Sequence, residues 1–175
     1  MSIPFSHSSL VIDEITYDLS HLTAFAAAIP GKGVGDQKDL GIVVVSSNHV
    51  FTERAKHGEK YHLNDHHGTK RVFDHERYQF SKKLRPAIQA KIESNDLTFV
   101  SRSYGGIDNL VFVEDDNGKV WTVVFCLHPV GQPKGIRMEI LSAHPKVINQ
   151  RKIARNHLSV YARRCIYEGL RTPKV

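Results

Sequence analysis

Residues 109–127 read NLVFVEDDNGKVWTVVFCL, two β-branched and aromatic runs joined by Asp116-Asn117-Gly118. Asn and Gly tolerate the positive φ of a tight turn, so a β-hairpin is expected here. That hairpin draws its neighbours into a sheet. LTFVSRS precedes it and GIRMEILSAHP follows it, each with strand composition, and GIVVVSS (residues 41–47) is a continuous β-branched run bounded by Gly and polar residues. SLVIDEITYDLSHL reads as a strand followed by a turn or short helix around Asp18 to Leu22. Helical signals lie between and after these strands. Asp74 can cap HERYQFSKKL, and Pro86 can open or kink a second segment, AIQAKIESN. Leu84, Ile88 and Ile92 fall on one face of it. A last helix is expected from about Ile148 to Leu170, with Ala154, Leu158, Tyr161 and Cys165 inward and its arginines outward. The sum is an α+β fold: a mostly antiparallel sheet with helices packed on one face and a basic C-terminal helix. Nothing divides the chain, so residues 1–175 are expected to form one domain. Within it, 1–40 is an N-terminal extension, 41–145 the core and 146–175 the basic helix.

Charge narrows the partner. Residues 1–41 carry five acids and two bases, whereas residues 146–175 carry eight bases against Glu168 alone. Clustered Lys and Arg on a chain of net charge +6 favour a polyanion, because each phosphate contact releases counterions. Nucleic acid is therefore the expected partner, RNA ahead of DNA, and no membrane is expected. The apolar run Leu22 to Ile29 is far too short to span a bilayer and has no basic segment before it to make a secretory signal. Cys126 and Cys165 have no CxxC or zinc spacing and read as reduced thiols, which points to the cytoplasm.

Three motifs bear on chemistry. Gly31, Gly33 and Gly35 in PGKGVGDQKD suggest a phosphate cradle, but no P-loop Lys and Ser/Thr pair follows, and a strand comes next. Six of the eleven histidines lie between His49 and His75. His62, Asp65, His66 and His67 have metal-ligand chemistry, but HxxxH makes a ligand pair on a helix, and residues 56–69 read as a long exposed loop. No metal or cofactor is expected. His49 and His144, each at a strand end, supply instead the acid and base of a metal-independent ribonuclease, with Arg54 stabilising the phosphorane. Arg71, Arg77 and Tyr78 would contact phosphate and base. The alternative is a non-catalytic nucleic-acid-binding or regulatory module that uses Arg151, Lys152, Arg155, Arg163 and Arg164 of the last helix.

Two resemblances follow from these segments. SSNHVFTERA, KKLRPAIQAKIESND, the hairpin and RMEILSAHP resemble, over about residues 41–145, the order of elements in the small RNase-toxin superfamily of RelE, ParE, barnase and EndoU relatives. That resemblance implies ribonuclease activity and a cognate protein inhibitor. YDLSHL, SSNHVFTERA, FDHERYQFSKKLRPAI and ILSAHP together resemble a family of uncharacterised bacterial proteins, sometimes labelled with stationary-phase growth adaptation. It covers most of the chain and implies no particular mechanism.

Overall fold

The computed structural model describes residues 8–31, 38–101, 108–131, 135–145 and 153–173. Strands β1 (Ser9–Ile12) and β2 (Ile15–Asp18) form a hairpin whose turn residues, Asp13 and Glu14, both take positive φ. A short 3-10 turn (Ser20–Leu22) leads to β3 (Phe25–Ile29), which pairs antiparallel with β4 (Leu40–Ser46). After a second 3-10 turn (Asn48–Val50), β5 (Thr52–Arg54), β6 (Leu63–Asn64) and β7 (Lys70–Phe73) make a small separate sheet in the order β5-β7-β6. The chain then forms α1 (His75–Glu93), β8 (Leu97–Ser101), β9 (Asp108–Glu114), β10 (Val120–Val130), β11 (Gly135–His144), β12 (Ala154–His157) and α2 (Leu158–Glu168).

The main sheet has the order β12-β8-β9-β10-β11-β4-β3. All its pairings are antiparallel except β11 with β4, where the chain returns beside its first long strand. The expected α+β class and hairpin are present: Asp115 accepts the Asn117 and Lys119 amides, and Gly118 supplies φ +77°. β3 and β12 lie at the two edges of this sheet, so it draws strands from outside residues 41–145.

Side-chain alternation gives the sheet two different faces. Val111, Val113, Trp121, Val123, Phe125, Leu127, Ile136, Met138 and Ile140 point to the helical side, against Phe80, Leu84, Ile88 and Ile92 of α1 and Leu158, Tyr161 and Cys165 of α2. Trp121 stacks on Phe80 with ring centroids 4.2 Å apart. Asp74 caps α1 by accepting the Arg77 amide, and Pro86 sits inside one continuous helix. The opposite face carries a smaller apolar cluster of Phe99, Leu110 and Val124. It is this second face that carries polar groups.

Two expectations need correcting. The last helix begins at Leu158, not near Ile148, because Ala154 to His157 extend as an edge strand on β8. Ala154 is accordingly exposed rather than buried. The stretch 56–69 is not one open loop: β6 and the first residue of β7 lie in or beside it, tied by backbone hydrogen bonds from Ala55 to Lys70 and from His62 to Arg71. Gly33 and Gly35 of the glycine motif, Arg151 and Lys152 lie outside the described residues. No helix among the described residues is long and apolar enough to cross a membrane.

Candidate functional site

Along β10, Cys126 and His128 share the face turned away from the helices, and in β11 the same face carries Arg137 and Glu139. The register sets Cys126 directly opposite Glu139 and His128 opposite Arg137. Beyond β10, the C-terminal segment takes the place β9 has left: Leu127 and Thr172 exchange backbone hydrogen bonds, which brings Arg171 beside His128. Arg171 is held there by Asp108 of β9.

Three potential ligand atoms converge. Cys126 Sγ is 3.2 Å from His128 Nε2, which is 3.5 Å from Glu139 Oε2, and one atom from each residue lies within 4.8 Å of the others. Around a tetrahedral Zn²⁺, with bonds of ~2.3 Å to sulfur and ~2.0–2.1 Å to nitrogen or oxygen, neighbouring ligands stand about 3.3–3.6 Å apart. The nitrogen–oxygen distance here falls within that range and the sulfur–nitrogen distance just below it. Cysteine and glutamate both face one nitrogen of His128, so the group is not a relay in which an imidazole passes a proton from one nitrogen to the other. It is arranged around a point.

The electrostatics fit the same description. Glu139 is a carboxylate with a side chain only 3% exposed. Its Oε2 faces His128 and, at 3.9 Å, Arg137, while buried Oε1 has no hydrogen-bond partner among the described residues. Burial pushes its pKa up against the pull of Arg137. Burial also lifts the Cys126 thiol to about 11 and, with Arg137 and Arg171, lowers His128. A buried carboxylate with an unused oxygen, a neutral imidazole and a thiol form a donor set that a divalent cation would complete.

The centre opens onto a pocket of about 390 Å³ whose other walls include Ser47, His49, His66, His67 and Arg171. A β-bulge fixes one of these walls. Leu141 is an extra residue in β11, between the pairs Phe125–Ile140 and Val124–Ser142. The carbonyls of Ile140 and Leu141 accept the Ser47 amide and hydroxyl, at 3.0 and 2.6 Å. Ser47 Oγ in turn accepts the His49 amide, so the bulge sets where His49 stands. His49 Nε2 lies 3.1 Å from Asp65 Oδ2. Burial and the nearby Arg71 charge lower the His49 pKa, and Asp65 opposes them.

His49 therefore lies in the pocket. His144 does not: it is hydrogen-bonded to Ser142 at 2.9 Å and stands five residues beyond Glu139 along β11, roughly 16 Å at ordinary strand rise. The two histidines read as an acid–base pair from the sequence do not share this pocket. Arg54 is exposed at the end of β5. Arg71 and Arg77 serve the backbone instead of facing a ligand. Arg71 donates to the Thr52 hydroxyl and carbonyl, Arg77 donates to the carbonyls of His49 and Thr52, and both brace the turn that carries His49. Tyr78 is buried, donates to the Asp18 carbonyl and packs on Tyr17 and Phe73, so it offers no open stacking face. Arg155 is exposed on β12, Arg163 is exposed on α2, and Arg164 pairs with Glu168 at 3.4 Å. His62, just ahead of β6, accepts the Phe73 amide, while His66 and His67, with rings 3.8 Å apart, reach the pocket.

The sequence reading missed Cys126, His128, Glu139, Arg171 and Asp108. The available signal was local. A cysteine and a histidine two apart in a strand share a face, as do Arg137 and Glu139 in an otherwise apolar strand. Only the register and the return of the C-terminus bring the pairs together.

No curated protein and no solved structure matches the chain significantly. A family model does match, over residues 9–166, which takes in Cys126, His128, Glu139 and every strand of the main sheet. With nearly its whole length inside that match, the chain belongs to the YjaZ family.

Proposed function

We propose that the chain is a metal-dependent hydrolase of phosphate esters, with Cys126, His128 and Glu139 as the metal ligands. The observation that carries this reading is the convergence of Sγ, Nε2 and a carboxylate oxygen to within 4.8 Å of one another, with the other carboxylate oxygen buried and without a hydrogen-bond partner among the described residues. Three protein ligands on one side, with a pocket on the other, is the pattern of catalytic rather than structural zinc. Held by Cys126, His128 and Glu139, a divalent ion would lower the pKa of a bound water and polarise a phosphoryl oxygen. Arg171, a wall of the pocket, supplies positive charge for the remaining phosphoryl oxygens. His49, held by Asp65, accepts the proton of the attacking water. The new P–O bond forms from that water, the bond to the leaving oxygen breaks, and the leaving oxygen takes a proton from solvent.

This keeps the phosphate-directed, histidine-assisted chemistry expected from the sequence and replaces its metal-independent His49–His144 pair. The binding-only alternative has less support, since Arg155 and Arg163 stand on different elements. A cytoplasmic setting with two free cysteines, and a role in stationary-phase growth, belong to the same proposal.

The test is hydrolysis of bis(p-nitrophenyl) phosphate and of labelled single-stranded RNA by protein loaded with Zn²⁺ or Mn²⁺, beside a chelated sample. Activity should depend on the metal and fall at least about 100-fold in Cys126→Ser. Cleavage that persists unchanged in chelator, or in Cys126→Ser, refutes the metal reading.

A further inference from the structure

A second, larger hollow of about 880 Å³ adjoins the pocket and shares His67 with it. Its walls are the end of β5, the turn through residues 55–61 and the start of β7. Gly58, at φ +79°, allows that turn to fold back. Arg54, Lys56 and Lys70 line the hollow with exposed side chains, and among the described residues none of the three is in an ion pair. Glu59 is the one acid in the lining, and its carboxylate accepts the Lys56 amide. Lys60 is engaged with Asp13 at 2.7 Å. Tyr61 is 42% exposed, with Lys70 Nζ 4.7 Å from its ring centroid. Three cations outside any ion pair among the described residues, one of them against a partly exposed aromatic ring, form a surface for phosphates and a base together. The hollow is a recess, which suits a flexible single strand better than a rigid duplex or a flat lipid surface.

We propose that this hollow binds single-stranded nucleic acid, with phosphates on Arg54, Lys56 and Lys70, a base on Tyr61, and the backbone passing His67 toward the metal pocket. The cleavage implied by that path rests on the function proposed above, whereas binding in the hollow does not require the ion. Three phosphate contacts on a single strand give a slope of about −2 in log K against log salt, at about −0.7 per contact. Affinity should therefore fall roughly 20-fold between about 50 and 200 mM salt. Each cation removed should flatten the slope by about 0.7, and loss of the Tyr61 ring should weaken binding roughly 5- to 150-fold.

The experiment is fluorescence anisotropy in EDTA with a short labelled single-stranded RNA, the matching DNA and the duplex. The proteins are wild type, Lys70→Gln, the triple Arg54→Gln/Lys56→Gln/Lys70→Gln, Tyr61→Ala and Cys126→Ser, each checked by thermal melting and by Zn²⁺ uptake. The expected result is single-strand binding that weakens stepwise in the single and triple variants, weakens in Tyr61→Ala, and persists in Cys126→Ser. Tighter RNA binding assigns RNA as the partner, and tighter DNA binding assigns DNA. Wild-type affinity and slope in a folded triple variant, a preference for duplex, or no binding at all overturns the proposal. If Zn²⁺ is taken up but no strand binds, the hollow loses its role and the metal reading stands. If strands bind as expected but Zn²⁺ is not taken up, the metal reading fails and the hollow keeps its role.

Discussion

Glu139→Gln separates a site carboxylate from a structural one, because the two roles predict opposite signs. The side chain is 3% exposed, and among the described residues its Oε1 has no partner while Oε2 faces His128 at 3.5 Å and Arg137 at 3.9 Å. Those contacts are too long to repay the cost of burying a charge. Glutamine keeps the shape and removes the charge. An unsatisfied buried polar group costs about 1–3 kcal/mol, more when charged, so the variant should gain about 1–2 kcal/mol at neutral pH without metal. For a chain of this size that is roughly 2–8 °C in Tm. The pH dependence has a definite sign. Burial raises the folded pKa of Glu139 above its ordinary 4.5. The relative stability that protonation gives the wild type is complete below that ordinary value and is lost as pH rises through the raised one. The advantage of the variant should therefore grow with pH across that window and vanish below it. The assay is calorimetry in EDTA over that range, repeated with Zn²⁺. At a metal concentration 100 times Kd the wild type should gain about 2.7 kcal/mol, and the variant far less. A variant that is several kcal/mol less stable than wild type in EDTA would make Glu139 a structural partner of His128 and Arg137 and refute the reasoning.

Two predictions concern the scaffold that holds the site. Ile88, 2% exposed on the inward stripe of α1, should cost about 2–5 kcal/mol when replaced by alanine, measured by urea unfolding; a loss under about 1 kcal/mol would place it outside the core. Asp74→Ala removes both the cap on the Arg77 amide and the 3.3 Å ion pair with the Arg77 side chain, and should cost about 1–2 kcal/mol. Because Arg77 also holds the carbonyl of His49, that variant should lower hydrolysis beyond what its stability loss explains. Unchanged turnover in the folded variant would separate Arg77 from the site.

How far these features were legible in the sequence depended on their range. The hairpin at Asp116-Asn117-Gly118, the Asp74 cap and the Leu84–Ile88–Ile92 stripe are local patterns, and each formed as read. The start of α2 was misplaced because Ala154 to His157 carry no β signal of their own; they extend because β8 offers an open edge. Arg71, Arg77 and Tyr78 are a basic and aromatic run in the sequence, yet the fold turns them onto the backbone of Thr52, His49 and Asp18. A guanidinium that braces a turn has the same one-letter code as one that meets phosphate. The metal candidate was invisible for another reason. Cys126 and Glu139 are thirteen residues apart in sequence and become neighbours only through the register of β10 on β11. The histidines that stood out, His66 and His67, reach the same pocket from the turn between β6 and β7.

The account turns on whether Cys126, His128 and Glu139 hold one ion. Titration of the metal-free protein with Co²⁺, followed by absorption, addresses this directly, since a cobalt–thiolate bond gives a near-ultraviolet charge-transfer band and tetrahedral cobalt gives visible bands. The account predicts both, saturating at one equivalent, with the charge-transfer band absent from Cys126→Ser and the binding weakened about 10- to 1,000-fold in His128→Ala. A titration with no thiolate band, or one that runs identically in Cys126→Ser, would contradict it.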